Sequence, residues 1–344
     1  MKLNSNKANI SKPKEFKTKK SVLPSKLKGK VKIKNTTHEL KIEGDKIELK
    51  KGEYVKLLGI TSVNRTPLFC SNDNFSYLLE LTNNLDFIAT SILGGDLDKM
   101  LLVSQETNIK ENCQFYEKDG IIYLVYGEFP DKKGKWLLEQ MAKYYTELIE
   151  DRNVDKLDKL EKHEINIKFK RIINFILQEY YKLQDVFSDQ EIPYVEDKLR
   201  VDYLGLSSKS IGVISLLIGD ELTIDVSGQF DDPLELKDMK ESLLTAKIEA
   251  IAANTLGNTG SVPRWIAVKL GFQNYRFLTF QKYKNDYFIS LLCDGNLEKL
   301  TVIENKLEPL ILKVTVSEFT GDLKRFNKLK PILENIFDKN RYFS

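Results

Sequence analysis

Reactive side chains are scarce in this 344-residue chain, with three cysteines and two histidines in all. Cys70, Cys113 and Cys293 lie far apart, are odd in number and form no CxxC pair. That spacing argues against a disulfide framework or a zinc site. The three read as small apolar residues in the strands of a reduced protein. His38 falls in a polar strand or turn, and His163 at the start of a charged helix. Both read as solvated surface groups, and a histidine-based triad or multi-histidine metal site has little to work with.

Glycine and carboxylate motifs read the same way. Gly94-Gly95-Asp96 has the look of a phosphate loop, but it follows a helical pattern and not a strand, which makes it a helix stop. No GxxxxGK[ST] segment is present, so the chain carries no P-loop. Asp231, Asp232 and Asp238 precede or begin a helix, where carboxylates cap free N–H groups and interact favourably with the helix dipole. Glu147, Glu150 and Asp151 lie at a helix end and in a charged linker, with no cleft indicated around them. No nucleophile–base pair, metal set or cofactor motif emerges. The expectation is a non-enzyme without a cofactor.

Two features remain as candidate binding elements. Residues 1–34 carry twelve lysines and one glutamate, while the other 310 residues hold 41 basic and 49 acidic side chains. A basic tail thus precedes an acidic body, a pattern of interaction arms. Lys12, Lys14, Lys17, Lys19, Lys20, Lys26 and Lys28 are the residues to neutralise phosphates of nucleic acid or anionic lipid, or an acidic partner. The tail has no arginine and only Phe16 as an aromatic, which argues against reading of bases. The second feature is two tyrosine pairs on helices, Tyr144-Tyr145 and Tyr180-Tyr181. One ring of each pair is expected to pack and the other to sit at the rim as an interface anchor.

The elements that must position these residues are those of a globular chain, with 42% hydrophobic and 30% charged residues. No apolar run approaches the ~20 residues of a membrane span. The lysine-rich start has no apolar stretch behind it, so a secretory signal is not expected, and Lys2 excludes myristoylation. A cytoplasmic protein is the expectation. Residues 1–28 read as a disordered tail. Alternation at Val31, Ile33, Leu40, Ile42, Ile47 and Leu49 predicts short added strands.

One pattern then occurs twice. In the first half, strands are expected at Tyr54–Ile60 and Leu68–Cys70. A helix follows through Leu78, Leu81, Leu85, Ile88 and Ile92, then strands at Met100–Val103, Asn112–Glu117 and Ile121–Glu128, and a closing helix at Lys133–Ile149. In the second half, strands are expected at Ile211–Ile218 and Leu222–Val226, with Gly219-Asp220 as their turn. A helix then spans Leu236–Leu256. Strands follow at Trp265–Phe272, Phe277–Tyr283 and Tyr287–Cys293, and a closing helix starts at Asn296 and is kinked or stopped by Pro309. Between the halves, Ile165, Phe169, Ile172, Ile173, Ile176, Tyr180 and Leu183 mark a strong helix that leads the second half or bridges the two. A final helix over Asp322–Asn340 is expected to break around Pro331.

The fold class expected is α+β: two α/β sandwich-like units of β-β-α-β-β-β-α order, each with a five-stranded antiparallel sheet, behind the basic tail. The domains are 1–28, 29–155 and 156–344. Ser215–Gly228 ("SLLIGDELTIDVSG") resembles the opening hairpin of the roadblock domain. Ala246–Gly260 ("AKIEAIAANTLGNTG") resembles its alanine-rich helix and small-residue stop, and Tyr287–Leu300 ("YFISLLCDGNLEKL") its last strand entering the final helix. The resemblance covers about residues 165–314. The first half fits only in element order and is equally similar to a longin domain. The resemblance implies a non-catalytic scaffold or regulator, a fused pseudo-dimer that binds small Ras-like GTPases or other roadblock/longin proteins through helices and sheet edges. Self-pairing into a homodimer is a further arrangement it allows. The alternatives are a PAS-like small-molecule sensor, since PAS domains also insert helices after the second of five antiparallel strands, and a nucleic-acid- or anionic-surface-associated protein acting through the tail.

Overall fold

A computed structural model describes residues 54–104, 109–150, 152–183, 196–208, 211–219, 222, 224 and 232–344. All of them lie in the compact unit Leu40–Ser344. The tail, with the lysines singled out above, the strands expected at residues 31–49, and His38, Asp151 and Asp231 lie outside the described residues.

The protein is a mixed helix-and-strand fold built on an antiparallel sheet. In chain order the main elements are β1 (Tyr54–Ser62), β2 (Pro67–Cys70), α1 (Tyr77–Ile88), β3 (Asp96–Ser104), β4 (Lys110–Lys118), β5 (Ile121–Glu128), α2 (Asp131–Ile149) and α3 (Lys159–Lys182). They continue with β6 (Leu199–Ser208), β7 (Ile211–Leu217), α4 (Pro233–Thr259), β8 (Ser261–Gly271), β9 (Asn274–Lys282), β10 (Tyr287–Gly295), α5 (Leu300–Val314), α6 (Lys324–Lys339) and β11 (Tyr342–Phe343).

The strands form one sheet in the order β11-β6-β10-β9-β8-β3-β4-β5-β1-β2, with β7 also on β6. Two separate five-stranded sheets were expected. The separation fails because β3 pairs antiparallel with β8 from Asp96↔Lys269 to Ser104↔Ser261. Left open, each of those strands would present a row of unpaired N–H and C=O groups. Gly95 permits the approach, since a Cβ there would run into the Lys269 carbonyl.

Helices cover both faces. One core packs α1 and α4 on the sheet through Leu78, Leu85, Leu244 and Ile248. On the other face, one core gathers α2 and α3 and another gathers α5 and α6. Coverage of both faces explains β5: Leu124 and Tyr126 face the first core, and Tyr123 and Val125 face the second. Its sequence is therefore a continuous apolar run and not an alternation.

Both meander turns adopt left-handed backbone, at Asp119-Gly120 (φ 54° and 73°) and at Asn285-Asp286 (φ 59° and 57°). Asn and Gly tolerate that region best. Gly94 (φ 74°) and Gly260 (φ 64°) close the helical segments after α1 and of α4.

Several expectations are corrected. The opening strand of the second half is Leu199–Ser208, one segment earlier than expected, and Ile211–Leu217 is its partner. Arg200, Asp202 and Gly205 disguise that strand, because charge and glycine count against strand propensity. Leu222 and Ile224 are buried but not in a strand, and the rest of the expected Leu222–Val226 strand lies outside the described residues. Pro309 neither kinks α5 to a stop nor does Pro331 break α6; both sit inside their helices. An interior proline costs ~3 kcal/mol. Buried residues on either side, Leu300, Ile303, Leu307, Ile311 and Val314 in α5 and Phe326, Leu329, Leu333 and Phe337 in α6, outweigh that cost. Finally, α3 packs with α2 and β2 in place of leading the second half: the Phe169 ring meets Phe69 and Tyr145 edge-on, each at 4.9 Å.

Candidate functional site

The tyrosine pairs meet in one core. Tyr145 and Tyr180 are buried within the α2–α3 packing, while Tyr144 and Tyr181 are half-buried against the same cluster. A groove of about 380 Å³ opens beside α2, lined by Tyr116, Lys118, Glu139, Lys143, Thr146 and Glu147, with Glu150 at its end. Its charges are mixed and its floor is shallow. Cys113 and Cys293 are buried free thiols whose acidity burial suppresses, and Cys70 is half-buried. Asp232 caps α4 by accepting the Leu234 N–H, and Asp238 and His163 are exposed. Among the described residues no group of three or more His, Cys, Asp or Glu is placed to hold a metal ion. No helix among them is long and apolar enough to cross a membrane.

Buried polar systems among the described residues include two that tie the sheet to the helices of the α1–α4 side. One is an ion network across β6, β10 and β9. Asp294 takes two bonds from Arg276 at 2.6 and 2.9 Å and one from Arg200 at 2.8 Å. Arg200 also grips Asp202, which is fully buried and lies 3.5 Å from Arg341. Arg276 donates further to the Leu93 carbonyl at 2.6 Å, at the end of the helical segment that follows α1. A strand of the second half thus satisfies a helix-terminal acceptor of the first.

The other system is a polar row on α4. Glu241, Thr245 and Glu249 recur every four residues, so they share one face. Thr245 bonds Tyr203 at 2.6 Å and Ser215 at 2.7 Å. Ser207 donates to Glu249 at 2.5 Å, and Glu241 accepts the Leu217 N–H at 2.8 Å. Gly205 and Gly212 leave room for it, since side chains there would strike Tyr203, Ser290, Thr245 and Glu249.

Burial pushes the Glu249 carboxyl above its ordinary value of 4.5. A carboxyl with a raised folded-state value binds more protons folded than unfolded. Its contribution to stability is therefore full below 4.5 and is lost as pH rises through the folded value. Glu249→Gln keeps an acceptor for Ser207 and removes the charge. The variant is expected to gain up to ~1 kcal/mol over the parent at pH 8, with the gain vanishing at pH 4, in urea titrations at the two pH values.

What faces solvent above these systems is the outer side of α1 and α4. Ser242, Ala246, Ala250, Ala253 and Gly257 are all exposed and align opposite the core-facing side of α4. Where α1 meets α4, Phe87 is 51% exposed. Lys247 of α4 stands over its ring at 5.9 Å and Arg65 at 6.0 Å. Leu256 and Met239 add exposed apolar surface on α4. The face is a smooth ridge beside one aromatic anchor with cations at its rim. Sequence reading missed Phe87, because it sits out of phase with the Leu78–Leu85 stripe and resembles any surface residue. The i, i+4, i+8 spacing of Glu241, Thr245 and Glu249 was a usable signal for the polar row.

No model of a known protein family matches this chain, and no curated protein sequence matches it.

Proposed function

We propose that the chain is a cytoplasmic, non-catalytic scaffold built as two fused roadblock/longin-type units, and that its α1–α4 face binds a small Ras-like GTPase or another roadblock/longin protein. One observation carries the reading. The strand order β2-β1-β5-β4-β3 of the first half recurs in the second as β7-β6-β10-β9-β8, and the halves abut through β3 and β8. The correspondence extends to the helices: α1 and α4 follow the opening hairpins on one face, and the pairs α2–α3 and α5–α6 close each half on the other. That is the arrangement of a two-fold dimer joined edge to edge and written into one chain. Such an arrangement offers one partner a composite surface made by both halves, with Phe87 at the junction. Free buried thiols fit a reducing compartment.

The test is binding of the full chain to a panel of small GTPases, loaded with GDP or a non-hydrolysable GTP analogue, and to purified roadblock/longin proteins. At least one is expected to bind. Phe87→Glu is expected to weaken that binding at least about tenfold, or ~1.4 kcal/mol. A panel without a single binder would overturn the proposal, and binding unchanged by Phe87→Glu would remove the α1–α4 face from it.

A further inference from the structure

We propose that the outward face of α5 is a self-association surface, on which a second copy of this chain docks its own α5 in parallel. The inference stands apart from the GTPase reading and concerns the opposite face of the sheet.

The side of α5 that meets the sheet is complete: Leu300, Ile303, Leu307, Ile311 and Val314 are buried. On the opposite side, Val302, Asn305, Pro309, Leu312 and, just past the helix, Val316 are all exposed. Their exposures include 44% at Val302, 46% at Leu312 and 74% at Val316. Within the helix, Val302, Asn305, Pro309 and Leu312 are spaced 3, 4 and 3 residues apart, the a/d seam of a two-helix contact. Four of the five positions are apolar, and nothing in the fold requires this. The corresponding helix of the first half, α2, turns Lys135, Glu139, Lys143 and Glu147 to solvent.

The flanking charges choose the occupant and its direction. With Val302 and Pro309 at a and Asn305 and Leu312 at d, Thr301 and Glu308 fall at g, and Lys306 and Lys313 at e. In a parallel pair each g residue faces the e residue five positions on in the partner. Glu308 then meets Lys313 of the other copy, and the reciprocal bridge forms by symmetry. In an antiparallel pair e faces e and g faces g, so Lys306 opposes Lys313 and Glu308 meets no lysine. Glu308 and Lys313 make no ion pair among the described residues, so both are available. Asn305 meets its own copy within the seam, where the two amides are placed to hydrogen-bond to each other.

A seam along a helix of about 22 Å gives a contact below the ~1,200 Å² of standard interfaces, so the association is reversible and micromolar or weaker. Sedimentation of the full chain across concentration tests it. The wild type is expected to move from 39.7 kDa toward twice that mass. Leu312→Glu should weaken dimerisation at least about tenfold, and Lys313→Glu should weaken it as well. Glu308→Lys combined with Lys313→Glu swaps the bridge and should restore it. All three sites are exposed, so circular dichroism is expected to match the wild type. A chain monomeric at every concentration overturns the proposal, as does a dimer indifferent to Leu312→Glu or a double swap that fails to rescue. A monomer that instead sediments with anionic phospholipid vesicles through Leu312 also overturns it, in favour of a lipid surface.

Discussion

Asp294→Ala is expected to cost about 3–5 kcal/mol of stability, the range for removing one partner of a buried ion network. Asp294 is the hub of that network. It accepts from both Arg276 and Arg200, and the Arg276 side chain is nearly inaccessible to water. Without the carboxylate, a buried guanidinium loses its counter-charge and two of its hydrogen bonds while keeping only the Leu93 carbonyl. The cost should be read from urea unfolding monitored by fluorescence of the two tryptophans, Trp136 and Trp265. Because Arg276 also caps the helical segment after α1, hydrogen exchange should quicken around residues 89–95 as well as in β9 and β10. A loss under ~1 kcal/mol would mean that solvent screens the network, as it does for surface pairs. The exposed pair Glu179–Lys182 is the matching control, and Glu179→Ala should shift stability by less than ~0.5 kcal/mol.

Phe169→Ala is expected to destabilise by a similar amount, about 3–5 kcal/mol, through lost burial and the cavity left behind. Phe169 is fully buried between Phe69 of β2 and Tyr145 of α2, and both contacts are edge-to-face. The variant also tests where α3 belongs. Exchange protection should fall together in β2, α2 and α3 and stay unchanged in α5 and α6, which pack around a separate core. Equal loss in both cores, or a cost below ~1 kcal/mol, would show that α3 is not docked on the first half.

Much of the secondary structure was legible because it rests on local physics. The Leu78–Leu85 stripe, the Asp119-Gly120 turn and the glycine stops at Gly94 and Gly260 each encode one element within a few residues. Failures share one cause. β6 hid behind Arg200 and Asp202, whose partners Asp294 and Arg341 lie 94 and 139 residues away in the chain. Pro309 and Pro331 looked like helix breakers because the packing that overrides them comes from the sheet and from neighbouring helices. Phe87 became a candidate anchor only when Lys247 of a distant helix was seen above its ring.

The sequence by itself determined most of the element order, the helix boundaries set by caps and glycines, and the small number of cysteines and histidines. Only the tertiary structure decided that β3 and β8 merge the halves into one sheet, that α3 closes the first core, and which helix faces remain open. Periodicity reports which side of an element is apolar, but not what covers it. That depends on strand edges and side chains meeting across large sequence separations, where backbone pairing and burial together select the partner.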